Sequence, residues 1–189
     1  ASCSKIRRKI LSDHGLNFVV KTPGIDEEEL KQSLTNLPFK KRVIELALAK
    51  AKEVSEIHKN TYVVGADQMC VYNNMVFSKP GNLENAVNNL MRLSGNTHYQ
   101  YNGLAICLDG KPLWTFCDIA TLTMKELSEE KIRSYIEADK PYECAGSYKY
   151  ESLGSDLFSE VKGSEYTIQG LSLSPLLSAL EDLDISFGE

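Results

Sequence analysis

The stretch "TYVVGADQMC", residues 61–70, places the carboxylate of Asp67 at the end of a short apolar run that is typical of a buried strand. Burying an ionised carboxylate without a partner costs on the order of several kcal/mol, so a cation, a metal ion or hydrogen-bond donors must compensate it. A carboxylate held in this way can bind a divalent metal or accept a proton from an attacking water. Asp67 is therefore the first candidate for chemistry.

Four positively charged side chains stand in unusual positions. Arg7 and Arg8 lie in the first turns of a predicted helix, where the helix dipole disfavours cations unless an anion binds there. Lys50 falls inside the apolar stripe of a second predicted helix, so either its ammonium reaches the surface along the flexible stem or it points into a cleft. Lys79 precedes the turn-forming pair Pro80-Gly81. All four side chains are suited to binding phosphate oxygens.

A pair of acidic residues, Asp26 and Glu27, lies in a predicted turn between Arg8 and Lys50. Carboxylates and cations in such positions fit a site for phosphate and a metal ion better than any other common chemistry. The two acidic residues, the four cations and Asp67 are therefore predicted to meet in one place.

The elements that must position these side chains follow from hydrophobic periodicity and capping residues. A first helix begins after Ser4 as N-cap and ends at Gly15. The segment "FVVK" indicates a strand, and "KKRVIELALAKAKEVSEIH" is a long helix with apolar residues at the 3.6-residue period. The run that ends at Asp67 continues into a hairpin with Asn73-Asn74 at its turn, because Asn tolerates positive φ.

The second half of the chain holds two paired strands and shorter helices. The strands are predicted to be antiparallel and joined at Asp109-Gly110. Ser128 caps one helix and Ser174 another, with Pro175 in the first helical position of the latter. Since helices and strands alternate early and strands pair later, we predict a single α/β domain over residues 1–189, with a mixed β-sheet flanked by helices.

Composition limits the classes of function. Hydrophobic residues make up 42% and charged residues 25% of the chain, and no apolar run approaches the roughly 20 residues that span a bilayer, so we expect no membrane partner. The net charge of −5 opposes binding of nucleic acids. The five cysteines are odd in number and form no C-x-x-C pair, which favours a reducing, cytoplasmic location.

Eight short segments occur in an order that resembles the Maf family of nucleoside triphosphate pyrophosphatases, from the first residue to about Leu173. They are "ASCSKIRRKIL", "IDEE", "LALAKA", "VVGADQ", "SKPGN", "RLSGNTH", "ECAGSYKYES" and "IQGLSL". The resemblance implies an elongated α/β fold related to inosine triphosphatases, with a cleft between two lobes. It also implies hydrolysis of a nucleotide between its α and β phosphates, a homodimer, and a first strand ahead of Ala1.

The resemblance further implies roles for individual residues. The general base falls on Asp67, and the acidic turn falls on Asp26 and Glu27, so these three carboxylates are the predicted metal ligands. Since no His or Cys is placed to help, the site offers only oxygen ligands, which suits Mg²⁺, or else Mn²⁺. Ser4, at the same helix start as the two arginines, is predicted to bind the substrate. The phosphate-binding cations fall on Arg7, Arg8, Lys50 and Lys79.

Two segments resemble the subgroup that acts on 7-methyl-GTP rather than on dTTP and UTP. They are "ADQ" in place of "ADT", and "CAGSYKYES" in place of an "AGxYGIQG" pattern. The carboxylate of Glu151 can accept hydrogen bonds from guanine N1–H and the exocyclic amine, and 7-methylation makes that ring cationic. Gln68 adds an amide contact. Ile6 is the third predicted base-binding position, although an aromatic residue there would stack on the base and isoleucine cannot.

Alternative functions stay open at this point. A dTTP or UTP pyrophosphatase of the same family uses the same cations. A nucleotide-binding regulatory protein of cell division would bind the ligand without turnover, with Asp67 in a structural role. A thiol hydrolase would use Cys144 or Cys70 as nucleophile and His98 as base, but isolated cysteines in apolar surroundings are usually inert.

Overall fold

The computed structural model describes residues 1–186, and the element bounds within that part of the chain are as follows. The helices are α1 (Lys5–Asp13), α2 (Glu27–Ser33), α3 (Phe39–Ile57), α4 (Leu83–Leu93), α5 (Glu129–Asp139), α6 (Glu165–Ile168) and α7 (Leu173–Asp182), with a 3₁₀ helix at Leu153–Leu157. The strands are β1 (Tyr62–Tyr72), β2 (Met75–Phe77), β3 (Thr97–Leu108), β4 (Lys111–Met124) and β5 (Phe158–Lys162). No helix among these residues is long and apolar enough to cross a bilayer.

The strands form one five-stranded sheet in the order β2-β1-β3-β4-β5. The pairs β1–β2 and β4–β5 are antiparallel, with Tyr72 opposite Met75 at the end of the first hairpin. Asn73 and Asn74 both have positive φ, at 48° and 61°, as predicted for the turn. Asp109 likewise has a φ of 53° between β3 and β4. The predicted α/β class and both predicted hairpin turns are confirmed.

The chain divides into two compact units. Among the described residues, the first unit comprises Ala1–Gln68, Asn102–Asp118 and residues 170–186. In this unit α3 packs on β1 and β3 through a small apolar cluster that includes Ala47, Ala51, Val54, Val63, Ala105 and Cys107.

The second unit comprises Met69–Tyr101 and Ile119–Gln169. It has its own apolar core, built by α4, α5 and the strand residues that belong to this unit. Its fully buried members include Leu90, Leu93, Leu122, Ile132 and Ile136. Burial of these side chains supplies the main driving force for folding of this unit.

Two glycines let α3 approach the sheet closely. A Cβ atom on Gly65 of β1 would lie 2.2 Å from the carbonyl oxygen of Ala47, and one on Gly103 of β3 would lie 2.2 Å from that of Val43. Any side chain at these positions would push the helix away from the strands. Neither glycine had a predicted role.

Two predicted elements differ in the structure. Residues 16–24, which contain the predicted strand "FVVK", form no regular structure, and Val19 is 80% exposed. A strand needs a neighbouring strand to which its backbone can hydrogen-bond. Without one, the strand propensity of "FVVK" is not enough to form a strand. Helix α7 begins at Leu173 with Ser172 at the N-cap position, earlier than the predicted cap at Ser174. Pro175 is tolerated inside the first turn, where backbone N–H groups lack intrahelical acceptors.

Candidate active site

A buried ion-pair cluster lies between α3 and β1 in the first unit. The Nζ atom of Lys50 is 2.7 Å from Oδ1 of Asp67 and 3.0 Å from Oε1 of Glu27. Counted over the whole residue, Lys50 and Asp67 are each only 7% exposed. The lysine thus points inward, and the alternative that its ammonium reaches the surface is wrong. Lys50 is the partner that compensates the carboxylate of Asp67.

The close approach of α3 to β1 explains how Lys50 reaches Asp67. Gly65 and Asp67 are alternate residues of β1 and therefore project from the same face of the strand. Ala47 and Ala51 flank Lys50 on α3, and both contact the glycine position. The small residues bring the helix backbone onto the strand, so the long lysine stem runs beside it to the carboxylate.

Arg7, a second predicted phosphate-binding residue, lies on α1. Its Nε donates to the carbonyl oxygen of Gly170 at 2.7 Å, and its Nη1 donates to that of Ala66 at 2.9 Å. Burial lowers the pKa of the Arg7 guanidinium, and the carboxylates of Asp67 and Glu27 oppose that effect. A guanidinium stays protonated at any ordinary pH, so Arg7 remains a fixed positive charge.

Asn102 of β3 is a site residue that the sequence analysis missed. It is completely buried, and its Nδ2 donates to the carbonyl oxygens of Asp67 at 2.9 Å and Gly170 at 2.8 Å. Its Oδ1 accepts from the N–H and the hydroxyl of Ser172, both at 2.7 Å. The signal was present in the sequence, because Asn102 is a polar residue directly ahead of an apolar run, residues 103–107, that is buried within β3.

Gly170 is a second missed residue, and it touches two of the predicted ones. Its φ is +94°, a conformation that residues with a side chain rarely adopt. A Cβ here would lie 2.6 Å from Oε1 of Gln68 and 3.2 Å from Nη2 of Arg7. Gly170 therefore lets the amide of Gln68 and the guanidinium of Arg7 pack on the same backbone segment.

The remaining predicted residues of the first unit have clear structural positions. Ser4 is the N-cap of α1, where its hydroxyl accepts from the N–H of Arg7 at 3.4 Å. Ile6 is half-buried and Arg8 is exposed. Asp26 caps α2, because its Oδ1 accepts from the N–H groups of Glu28 and Glu29 at 3.1 and 3.0 Å. The predicted acidic turn is thus the start of a helix.

Lys79 and Glu151 belong to the second unit. The Nζ of Lys79 is 3.4 Å from Oε2 of Glu143, and both side chains are largely exposed. Glu151 is exposed, and the next residue, Ser152, donates its hydroxyl to Oδ1 of Asp139 at 2.7 Å. The segment that carries Glu151 is therefore anchored to the end of α5.

The groups of the alternative thiol chemistry are poorly suited to it. Burial raises the pKa of Cys144 to about 11 and raises that of Cys70 still further. Burial also lowers the pKa of His98 to about 4, and its Nε2 is hydrogen-bonded to the hydroxyl of Tyr148 at 2.9 Å. Because the thiolate is the nucleophile, these cysteines are inert at neutral pH.

The two carboxylates at Lys50, those of Glu27 and Asp67, offer the oxygen ligands that divalent Mg²⁺ prefers. Among residues 1–186, no three or more His, Cys, Asp or Glu side chains form a group that could hold a metal ion. Glu27 and Asp67 nevertheless place oxygens within 3.0 Å of the same nitrogen, so both can reach one cation. Mg²⁺ is commonly bound by one or two carboxylates together with substrate phosphates.

Comparison with known proteins gives the family. The sequence profile described as Maf-like protein matches residues 1–183. The chain belongs to the Maf family. The predicted resemblance to this family of enzymes is thereby confirmed.

Several relatives share most of their length with this Maf protein. A nucleoside triphosphate pyrophosphatase of Legionella pneumophila is 44% identical over 98% of this chain and 92% of its own length. One from Nitrobacter hamburgensis is 37% identical over 95% and 90% of the two chains. One from Rhodospirillum rubrum is 34% identical over 95% and 91%.

Proposed function

We propose that this Maf protein hydrolyses a nucleoside triphosphate between the α and β phosphates and releases a nucleoside monophosphate and pyrophosphate. The observation that carries the proposal is the buried ion pair between Lys50 and Asp67, with Glu27 on the same ammonium. A buried lysine shared by two carboxylates adds little stability, which favours a functional reason for its position. The names of the relatives support the same reaction.

In the proposed reaction, Arg7 and Lys50 bind the polyphosphate. Arg7 is held by the carbonyl oxygens of Ala66 and Gly170, so its guanidinium binds phosphate from a fixed position. Phosphate oxygens compete with Asp67 for the ammonium of Lys50. Once Lys50 is displaced, one carboxylate oxygen of Asp67 can accept a proton from the attacking water while the other can bind the metal. The cations stabilise the charge that develops on the leaving pyrophosphate.

Glu27 and Asp67 would hold the divalent metal, Mg²⁺ or Mn²⁺. When bound, the metal supplies positive charge to the phosphate oxygens and orients the polyphosphate. Asp26 contributes Oδ1 to the cap of α2, so it fixes the start of the helix that carries Glu27. Asp26 therefore belongs to the proposed metal site through Glu27, the next residue in the chain.

The remaining substrate contacts are assigned as the sequence predicts. Arg8, Ser4 and Lys79 contribute to phosphate binding, and the Lys79 ammonium is accessible, since its side chain is largely exposed. The preferred substrate is 7-methyl-GTP, with the base bound by Glu151, Gln68 and Ile6. The segments "ADQ" and "CAGSYKYES", which resemble the subgroup that acts on 7-methyl-GTP, support this assignment. dTTP and UTP are the alternative substrates.

The setting of the reaction is also proposed from the sequence. We infer a cytoplasmic homodimer that binds a nucleoside triphosphate and has neither a nucleic acid nor a membrane as a partner. The five free cysteines support the cytoplasmic location, and the net charge of −5 opposes a nucleic-acid or anionic membrane partner. The homodimer is proposed from the resemblance to the family alone.

The test is a panel of nucleoside triphosphates, including 7-methyl-GTP, GTP, dTTP and UTP, assayed for pyrophosphate release with Mg²⁺ and with Mn²⁺. The proposal expects release of pyrophosphate and monophosphate in equal amounts, fastest for 7-methyl-GTP. Release of orthophosphate instead of pyrophosphate would place the cleavage between the β and γ phosphates. Thermal stabilisation by nucleotide without any product would favour the regulatory binding protein.

A further inference from the structure

We propose that Asn102 is a positioning residue of this site, an inference that rests on the proposed function. Its side chain joins the backbone at Asp67 to the backbone at Gly170. Through these two contacts it keeps the general base, the guanidinium of Arg7 and the amide of Gln68 in one arrangement. We call the contacts between Asn102, Asp67, Gly170 and Ser172 the asparagine clamp.

The geometry of the clamp leaves a single orientation for the amide of Asn102. The backbone N–H of Ser172 can only donate, so the oxygen of the Asn102 amide must face it. The amide nitrogen then faces the two carbonyl oxygens, at 2.9 and 2.8 Å, and gives one hydrogen to each. A completely buried amide with all of these bonds made is rigid, because any rotation leaves buried polar groups unpaired.

The two carbonyl groups belong to the segments that carry the functional side chains. Asp67 itself accepts one bond through its backbone, while its carboxylate meets Lys50. The carbonyl oxygen of Gly170 also accepts from Nε of Arg7, and the Gly170 Cα lies against Gln68. A shift of the Gly170 peptide would therefore move Arg7 and Gln68 together. The clamp connects the residue that activates water with residues that bind phosphate and base.

Ser172 completes the clamp from the start of α7. Both of its donors point to the same oxygen, at 2.7 Å each. Ser172 makes no side-chain cap bond to its own helix, so its hydroxyl serves Asn102 instead. The hydroxyl can be removed while the N–H is kept, which allows a graded test.

The test compares Asn102→Leu, Asn102→Asp and Ser172→Ala with the control Gln100→Leu. Gln100 lies on the same strand, is equally buried and donates to the hydroxyl of Tyr148 at 2.7 Å, but it belongs to the second unit. All four variants lose buried hydrogen bonds. Steady-state kinetics on the best nucleotide, the selectivity between 7-methyl-GTP and dTTP, and amide hydrogen exchange are measured for each.

The expected result is a fall in kcat of about 10- to 100-fold for the Asn102 variants and a smaller fall for Ser172→Ala. The selectivity for 7-methyl-GTP over dTTP should fall together with kcat. Amide hydrogen exchange at residues 66–69 and at residues 170–173 should accelerate in the same variants. Gln100→Leu should keep kcat and the exchange of both segments. Ser172→Ala and Asn102→Asp keep the test usable if Asn102→Leu does not fold.

The outcomes separate the two proposals. Unchanged kcat in folded Asn102 variants, or faster exchange in only one segment, would overturn the clamp. Absence of pyrophosphate release by the unaltered protein would instead overturn the proposed function, and the exchange measurement would still decide whether Asn102 couples the two segments.

Discussion

The ammonium of Lys50 lies 2.7 Å from the carboxylate of Asp67, and the two side chains are only 8% and 10% exposed. Desolvation offsets most of the attraction in such a pair, but loss of one partner leaves an uncompensated buried charge. Glu27 shares the ammonium at 3.0 Å and is more exposed, at 40% of its side chain. Activity and stability should therefore respond differently to changes at the two ends of the pair.

Replacement of Asp67 by asparagine should abolish most turnover while the fold survives. The amide keeps an oxygen that accepts from Lys50, so the free energy of unfolding should fall by only about 1–2 kcal/mol. Loss of the general base should lower kcat about 10²- to 10⁴-fold. Pyrophosphate release and thermal unfolding measure the two effects.

The matched control for that substitution is Asp13→Asn. Asp13 is exposed and pairs with Lys9 one helical turn away, so its loss should change neither quantity. Parent-like turnover by Asp67→Asn would show that the base assignment is wrong.

Replacement of Lys50 by methionine should destabilise the protein by about 3–5 kcal/mol at neutral pH, because Asp67 then stays buried without its cation. The double variant Lys50→Met/Asp67→Asn should recover much of this loss, since the uncompensated charge is gone. Urea unfolding of the unaltered protein, the two single variants and the double variant gives the four free energies needed for the cycle.

Lys52→Met is the control on the same helix. Lys52 is 54% exposed and lies 4.0 Å from Glu56, so its removal should cost less than about 1 kcal/mol. Equal losses for Lys50→Met and Lys52→Met would contradict the buried ion pair.

The buried histidine of the second unit should make stability depend on pH. Burial lowers the pKa of His98 from 6.5 to about 4, so between these values the unfolded chain binds a proton that the folded protein does not. Stability should thus fall as pH decreases from 6.5 towards 4, by about 3 kcal/mol from this residue alone.

His98→Gln removes the titrating group and should flatten the pH dependence of the unfolding free energy in that window, whatever its effect on absolute stability. His14, which is exposed at the end of α1, provides the control His14→Gln. If the slope of stability against pH is the same in His98→Gln as in the unaltered protein, another group causes it.

Glu151→Gln should weaken the preference for 7-methyl-GTP over dTTP about tenfold or more, because a neutral amide cannot match the carboxylate opposite a cationic guanine ring. Values of kcat/KM for dTTP should change little. Glu130→Gln, on an exposed turn of α5, is the control. Equal losses on both nucleotides would rule out a role of Glu151 in base selection.

Several of these groups could be predicted from residue order because their environments are local. Ser4 caps α1, and Asn73-Asn74 forms the hairpin turn, since short polar side chains reach backbone groups within three residues. Hydrophobic periodicity likewise predicted that Lys50 lies on the inner face of α3. It did not tell whether the ammonium turns outward.

The errors occurred where local preference competes with the rest of the molecule. The segment "FVVK" has strand-forming residues but no ladder partner, and it forms no strand. Helix α7 begins at Leu173, earlier than predicted. The hydroxyl of Ser172 donates to Asn102 on a strand distant in sequence rather than capping its own helix. Nothing within a few residues of either segment could indicate these outcomes.

The residue order by itself determined the α/β class, the Maf family and the set of charged side chains, because periodicity, turn chemistry and motif order are properties of neighbouring residues. Only the tertiary structure decided which of those charges meet. The contact of Lys50 with Asp67 depends on a helix that packs directly on Gly65, and the clamp depends on three segments brought together by burial. Distances between remote side chains follow from packing of the whole unit, which no local pattern encodes.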